Sequence, residues 1–244
     1  TTLATYDGTL GVTAFTSFTD IAARGPDSVI PDDATLNARI NAAGVEGDIT
    51  LGTSPVSQVN TLLQNTDTPA KVTTTDTTFR ASAILIGAGK ASLTVGAAQG
   101  DGALTALAAG GELALANHDA TALLTVNAPI TNNTTASSLS KSGVGIVVLT
   151  GSNTYSGATA INEGTLAFGG TGTQTVSSVI SGPGKLAKVG TGRVTLASAN
   201  TFTGETHIDE GVVVAQNNTA FGSSSAGTFI ADGATLDIGS SLGA

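Results

Sequence analysis

Eighteen acidic side chains, two histidines and a recurring set of lysine, asparagine and glutamate are the groups in this chain with chemistry to offer. Paired carboxylates hydrolyse glycosides when two of them flank one glycosidic bond. Six of the acids, however, each stand directly before a glycine: Asp7-Gly8, Glu46-Gly47, Asp101-Gly102, Glu163-Gly164, Glu210-Gly211 and Asp232-Gly233. An acid-glycine pair ahead of an alternating run is turn chemistry, because glycine takes a positive φ at a corner and a strand follows. No two acids converge by spacing on one site, so no catalytic residue is expected. Asp27, Asp32 and Asp33 form the densest acidic group. Carboxylate oxygens suit calcium, but this spacing fits no EF-hand loop and reads as an acidic loop. His118 and His207 stand in unrelated contexts, and zinc needs more ligands than they supply. The chain has no cysteine, which removes disulfides and thiolate metal sites. Neither a metal nor a cofactor is expected.

Gly87-Ala88-Gly89-Lys90 has the look of a phosphate loop, but it lacks the full P-loop spacing. Serine is abundant, yet no G-x-S-x-G elbow occurs and no Ser/His/Asp set can be named. Lys141, Asn153 and Glu163 recur as Lys188, Asn200 and Glu210. Lysine joined covalently to asparagine beside an acid is one chemistry this set allows. Stacking is the simpler reading: Asn153 and Asn200, aligned in successive coils, would form an amide ladder that satisfies buried polar groups. Tyr155 and Phe202 would stack beside it.

Those residues recur because the chain writes one block twice. Residues 139–170 read LSKSGVGIVVLTGSNTYSGATAINEGTLAFGG and residues 186–217 read LAKVGTGRVTLASANTFTGETHIDEGVVVAQN, with 13 of 32 positions identical at an offset of 47. A repeat of that period implies an array in which each unit covers the apolar face of its neighbour. Period-2 runs bounded by Gly, Asn, Asp and Ser predict strands at 84–86, 92–95, 112–115, 123–126, 146–149, 164–168, 193–196, 211–214 and 234–238. Their centres fall about 20 residues apart, the length of one solenoid coil with two or three short strands. The 47-residue repeat then reads as two coils, and the array as a β-helix about 10–12 coils and roughly 50 Å long. Asp33 to Ala43, DATLNARINAA, has helical periodicity, with Asp33 placed to cap a short helix and Gly44 to end it.

Composition agrees with short strands and tight turns. Charged residues are only 11%, far under the usual quarter, and Thr, Ser, Asn and Gly take their place. Aromatics are 4%, so Val, Ile, Leu and Ala must build the core. A net charge of −9 repels phosphate backbones, and no basic stripe exists, so nucleic acid is not a partner. Residues 1–53 carry seven of the acids against Arg24 and Arg39, fit the repeat least, and read as an N-terminal cap or interaction segment ahead of solenoid repeats over 54–244. No apolar run approaches membrane-spanning length. The chain starts at Thr1 and contains no Met, which points to a processed product or a segment of something longer. Asn132, Asn133 and Asn217 fit the glycosylation pattern, as chance allows in so Asn- and Thr-rich a chain.

The pattern K-x-G-x-G-x-V-x-L-x-x-x-N-T-[YF]-x-G-x-T-x-I-x-x-G, met in both copies, resembles the autotransporter-associated β-strand repeat of bacterial surface proteins. The resemblance covers residues 139–217 best and extends weakly from about residue 84 onward. It implies a right-handed parallel β-helix displayed outside the cell, with Asn153, Asn200, Tyr155, Phe202, Gly164 and Gly211 as structural repeat positions and no catalytic residues. The sequence reading is therefore an all-β, extracellular structural solenoid of a bacterial surface. It would act as a fibre or stalk subunit or scaffold and associate end to end, the unlike ends making head-to-tail contacts. An adhesin fragment that binds carbohydrate through its uncharged Thr, Ser and Asn face is the alternative.

Overall fold

The computed structural model describes residues 4–7, 11–14, 18–21, 28–41, 48–52 and 55–238. Ala4–Asp7 and Gly11–Ala14 form an antiparallel pair, and every later strand pair is parallel. Two ten-stranded sheets and one four-stranded sheet run side by side as the three faces of a β-solenoid of about nine turns. The fold is thus the expected parallel solenoid. At ~4.8 Å per strand step nine turns give about 45 Å.

The first face holds, among others, Thr19–Ile21, Asp33–Ile40, Val56–Gln64, Thr78–Ile86, Glu112–Asn117, Ser138–Ser142 and Thr159–Ile161. The second runs from Val29–Ile30 through Leu93–Val95, Leu123–Val126, Ile146–Leu149, Thr165–Phe168, Lys185–Lys188 and Thr206–Ile208 to Thr228–Ile230. The third begins at Thr173–Val176 and continues through Arg193–Leu196, Val212–Ala215 and Thr235–Ile238.

Each strand alternates, so one set of side chains points into a single core that runs from Ile21 to Ala220. Val147, Leu149, Ile161 and Leu166 of the first copy and Val194, Leu196, Ile208 and Val213 of the second are all buried, as their positions in the pattern require. Each such side chain contributes about 1.5–3 kcal/mol relative to exposure.

Four expectations need correction. Of the proposed helix at Asp33–Ala43, residues 33–40 are a strand whose Ala38 and Ile40 are fully buried. It lies between Thr19–Ile21 and Val56–Gln64, and sheet pairing on both edges overrides a local pattern that fits either period. For the same reason the solenoid does not wait for residue 54: strands within 19–51 already belong to the two long sheets. The coils number about nine rather than 10–12 because they vary in length. Leu166 pairs with Leu186, a step of 20, but Leu93 pairs with Leu124, a step of 31.

The last correction concerns the repeat. Leu139 pairs with Thr159 and Thr159 with Ile180 on the first face, whereas Leu186 pairs with Leu166 on the second. Two coils of about 20 residues leave a remainder of seven, which is one face. The second copy is therefore displaced two coils along the axis and one face around it, and equivalent residues do not stack.

Candidate functional site

Each copy places a lysine at the end of a strand, just before a glycine corner. Lys141 closes one corner and Lys188 the next corner around. Lys141 is fully buried, and Lys188 is 2% exposed. The Lys141 ammonium turns into the corner and donates to the carbonyl oxygens of Ser142 at 3.0 Å, Gly143 at 2.6 Å and Glu163 at 2.8 Å. Lys188 Nζ repeats this with Val189 at 2.8 Å, Gly190, and Glu210 at 3.3 Å. Three donors meet three acceptors, the condition under which a buried ammonium is tolerated. Burial still pushes the Lys141 amine down to about 8, opposed by the Glu163 carboxylate. Lys188 is lowered for the same reason, opposed by Glu210.

The glycines after the acids complete the corner. Gly164 has φ 66° and Gly211 φ 75°. A Cβ on Gly164 would press on the carbonyl oxygens of Gly143 and Gly145 and come 2.8 Å from Lys141 Nζ; Gly211 stands in the same relation to Gly190, Gly192 and Lys188. The lysine and glutamate of the recurring set thus meet through the glutamate's backbone.

The asparagines act elsewhere and do not form an amide ladder. Asn153 Oδ1 accepts the N–H of Ile130, and Asn200 Oδ1 that of Ile180, each at 2.8 Å. Each side chain thereby replaces a missing backbone acceptor for the coil before it. Asn200 Nδ2 donates onward to Ala220 O at 2.7 Å, but the buried Asn153 Nδ2 has no partner. Nor do the two rings flank one stack. Tyr155 bonds Thr159 Oγ1 at 2.8 Å, and burial raises its hydroxyl to about 12. Phe202 is wholly buried one face further around, where Thr201 N and Thr203 N bond Ile180 O and Gly182 O.

The acids hold turns. Asp119 Oδ1 accepts Thr121 N at 2.8 Å, Thr121 Oγ1 at 2.7 Å and Ala122 N at 2.8 Å, which with Gly89 N on Oδ2 lowers its carboxyl to about 2. Gly89 of the glycine-lysine stretch is thus occupied by a carboxylate, and Lys90 pairs with Asp67 at 2.9 Å. Asp101 takes Ala97 N at 2.7 Å. Asp33 takes Thr35 N at 2.8 Å, Asp32 takes Gln58 N at 3.0 Å, and Asp27 lies outside the described residues. His207 stacks on Phe229 with centroids 4.9 Å apart. Among the described residues no group of three or more His, Cys, Asp or Glu gathers as metal ligands would, and no helix is long and apolar enough to cross a membrane.

A cleft with uncharged polar walls lies on the third face, where the segment 150–158 crosses without forming a strand. Its open side and the strand Thr173–Val176 bound a groove of about 450 Å³ lined by Ser, Thr, Asn and Tyr side chains. The sequence gives a sign of it: TGSNTYSGA has no period-2 alternation of apolar residues, so it cannot seat a regular rung there.

Two stretches, residues 139–168 and 186–215, match the passenger-associated-transport-repeat family. They end with the strands Thr165–Phe168 and Val212–Ala215, so each match spans the lysine corner, the asparagine and the corner glycine. On a parallel β-solenoid, these matches show that the resemblance to a passenger β-helix repeat is real. No curated protein and no solved structure matches the chain.

Proposed function

We propose that this chain, with two passenger-associated transport repeats on a β-solenoid, is an extracellular structural segment of a bacterial surface protein that serves as stalk, fibre subunit or scaffold. The observation that carries the reading is the single core from Ile21 to Ala220 inside about nine stacked turns. Backbone hydrogen bonds in such a stack run along the axis, and each coil rests on the one before it, so the fold spans distance and resists extension. The lysine corners fit the same role, since they tie successive coils through backbone carbonyls. The last described coil exposes Phe229 at 52%, Ile230 at 48% and Ile238 at 64%. A further rung would cover these side chains.

No catalytic step belongs to this function. The reading is tested by brief protease treatment of intact source cells and by negative-stain imaging of the purified chain. Loss of the chain from intact cells, and rods about 45 Å long or filaments built from them, are expected. A protease-protected chain, or polysaccharide turnover that disappears when one or two acids are replaced, would overturn it.

A further inference from the structure

The groove on the third face opens between two successive coils, the segment 150–158 and the strand Thr173–Val176. At both of its ends the coils are in register: Gly169 N bonds Leu149 O at 2.8 Å and Thr159 N bonds Val179 O at 2.9 Å. Between those points the segment 150–158 bonds only backward, with Thr150 N on Val126 O, Thr154 N on Ile130 O and Gly157 N on Ser137 O. Among the described residues no backbone hydrogen bond joins it to Thr173–Val176, which is the edge strand of the four-stranded sheet. On its other side that strand is engaged: Gly172 O accepts Arg193 N and Val176 O accepts Ala197 N, each at 3.0 Å. In a parallel strand the backbone groups of alternate residues face opposite neighbours. Those of Thr173 and Thr175 therefore face the groove, and both residues line it.

Two buried polar atoms at the same break lack partners. Asn153 Nδ2 is a donor with no acceptor, and Oε1 of Gln174, a residue only 7% exposed, is an acceptor with no donor. In the second copy the corresponding amide, Asn200 Nδ2, bonds a backbone carbonyl of the following coil, Ala220 O. In the first copy no carbonyl reaches the corresponding amide. Ser152, Thr154, Ser156, Thr173, Thr175 and Ser177 give the groove uncharged walls.

We propose that this groove binds an extended, uncharged peptide segment of small hydroxyl-bearing residues, supplied by a partner protein. The segment adds a rung against Thr173–Val176 and gives a carbonyl to Asn153 Nδ2. Strand addition at a sheet edge supplies main-chain hydrogen bonds, and an uncharged wall rejects charged segments. The inference stands on this geometry alone and does not depend on the surface-scaffold reading.

The test is amide hydrogen exchange and NMR titration of the full chain, with the acetylated, amidated hexapeptide TQTVSS as probe and maltoheptaose and cellohexaose as rival ligands. In the free chain the amides of Thr173 and Thr175 should exchange at least tenfold faster than those of Gln174 and Val176, and saturating peptide should slow them at least tenfold. Thr175→Pro removes a groove-facing N–H on a free edge, and Asn153→Asp keeps the acceptor for Ile130 while repelling an incoming carbonyl. Each should weaken peptide binding at least tenfold, Asn153→Asp covering the case in which the proline variant fails to fold. Equal protection of all four amides in the free chain, no response to the peptide, or a response to the oligosaccharides would each overturn the proposal, the last in favour of a glycan groove.

Discussion

Leu139 and Leu186, the same residue in the two copies of the repeat, lie on different faces of the solenoid: Leu139 pairs with Thr159 and Leu186 with Leu166. The repeat therefore advances like a screw, two coils along the axis and one face around it. Each lysine corner serves a different edge of the molecule, and two repeats brace two of them.

The screw can be read directly by cross-linking, since the chain has no native cysteine. Thr165 is the register partner of Lys185. Adjacent strands bring Cα atoms within disulfide reach. The Thr165→Cys, Lys185→Cys pair should close under mild oxidation. Copies stacked in line would need coils of about 23 or 24 residues, which would set Thr165 opposite residue 188 or 189. The Thr165→Cys, Val189→Cys pair should therefore stay reduced, as mass spectrometry after alkylation would show.

Asn200→Ala should cost more than Asn153→Ala. Both changes leave an isoleucine N–H without its acceptor, but only the first also strands a second partner, Ala220 O. An unmatched buried group costs about 1–3 kcal/mol. Urea denaturation should place Asn200→Ala about 1–3 kcal/mol below Asn153→Ala, and equal losses would contradict the two different environments.

Lys141 should leave a mark on stability at alkaline pH. Its folded-state value, about 8, is below the 10.5 of the unfolded chain, so between those values the unfolded state holds more protons. Stability from this group then rises with pH across that window, by at most about 1.4 kcal/mol per unit. Urea midpoints from pH 7 to 11 should show the unaltered chain gaining on Lys141→Met as pH rises. At pH 7 the variant should be less stable by about 2–4 kcal/mol, because three carbonyls lose their donor. Parallel pH profiles would mean that Lys141 titrates as an exposed lysine does.

Glycine corners differ in what surrounds them. Gly164→Ala and Gly211→Ala place a methyl against carbonyl oxygens as well as in a left-handed backbone. Gly233, at φ 82°, has open space around it, so Gly233→Ala should show only the conformational cost of about 1–2 kcal/mol. Thermal unfolding should rank the first two well below the third.

What the sequence determined by itself was everything that depends on neighbours along the chain. Alternation of apolar and polar residues placed strands such as Ile146–Leu149 and Arg193–Leu196 and told which side chains face inward. The acid-glycine pairs placed corners, and the doubled block pointed to stacked coils. What only the tertiary structure decided is which residue meets which across coils. That depends on the summed length of every coil between them, and lengths from 19 residues, Val147 to Leu166, to 31, Leu93 to Leu124, cannot be read locally. So Asn153 and Asn200 were expected to meet each other and instead meet Ile130 and Ile180, and Lys141 finds three carbonyls rather than an asparagine. Asp33–Ile40 is the same lesson in secondary structure: its residues fit a helix in isolation, and strands on both sides, distant in the chain, make it a rung.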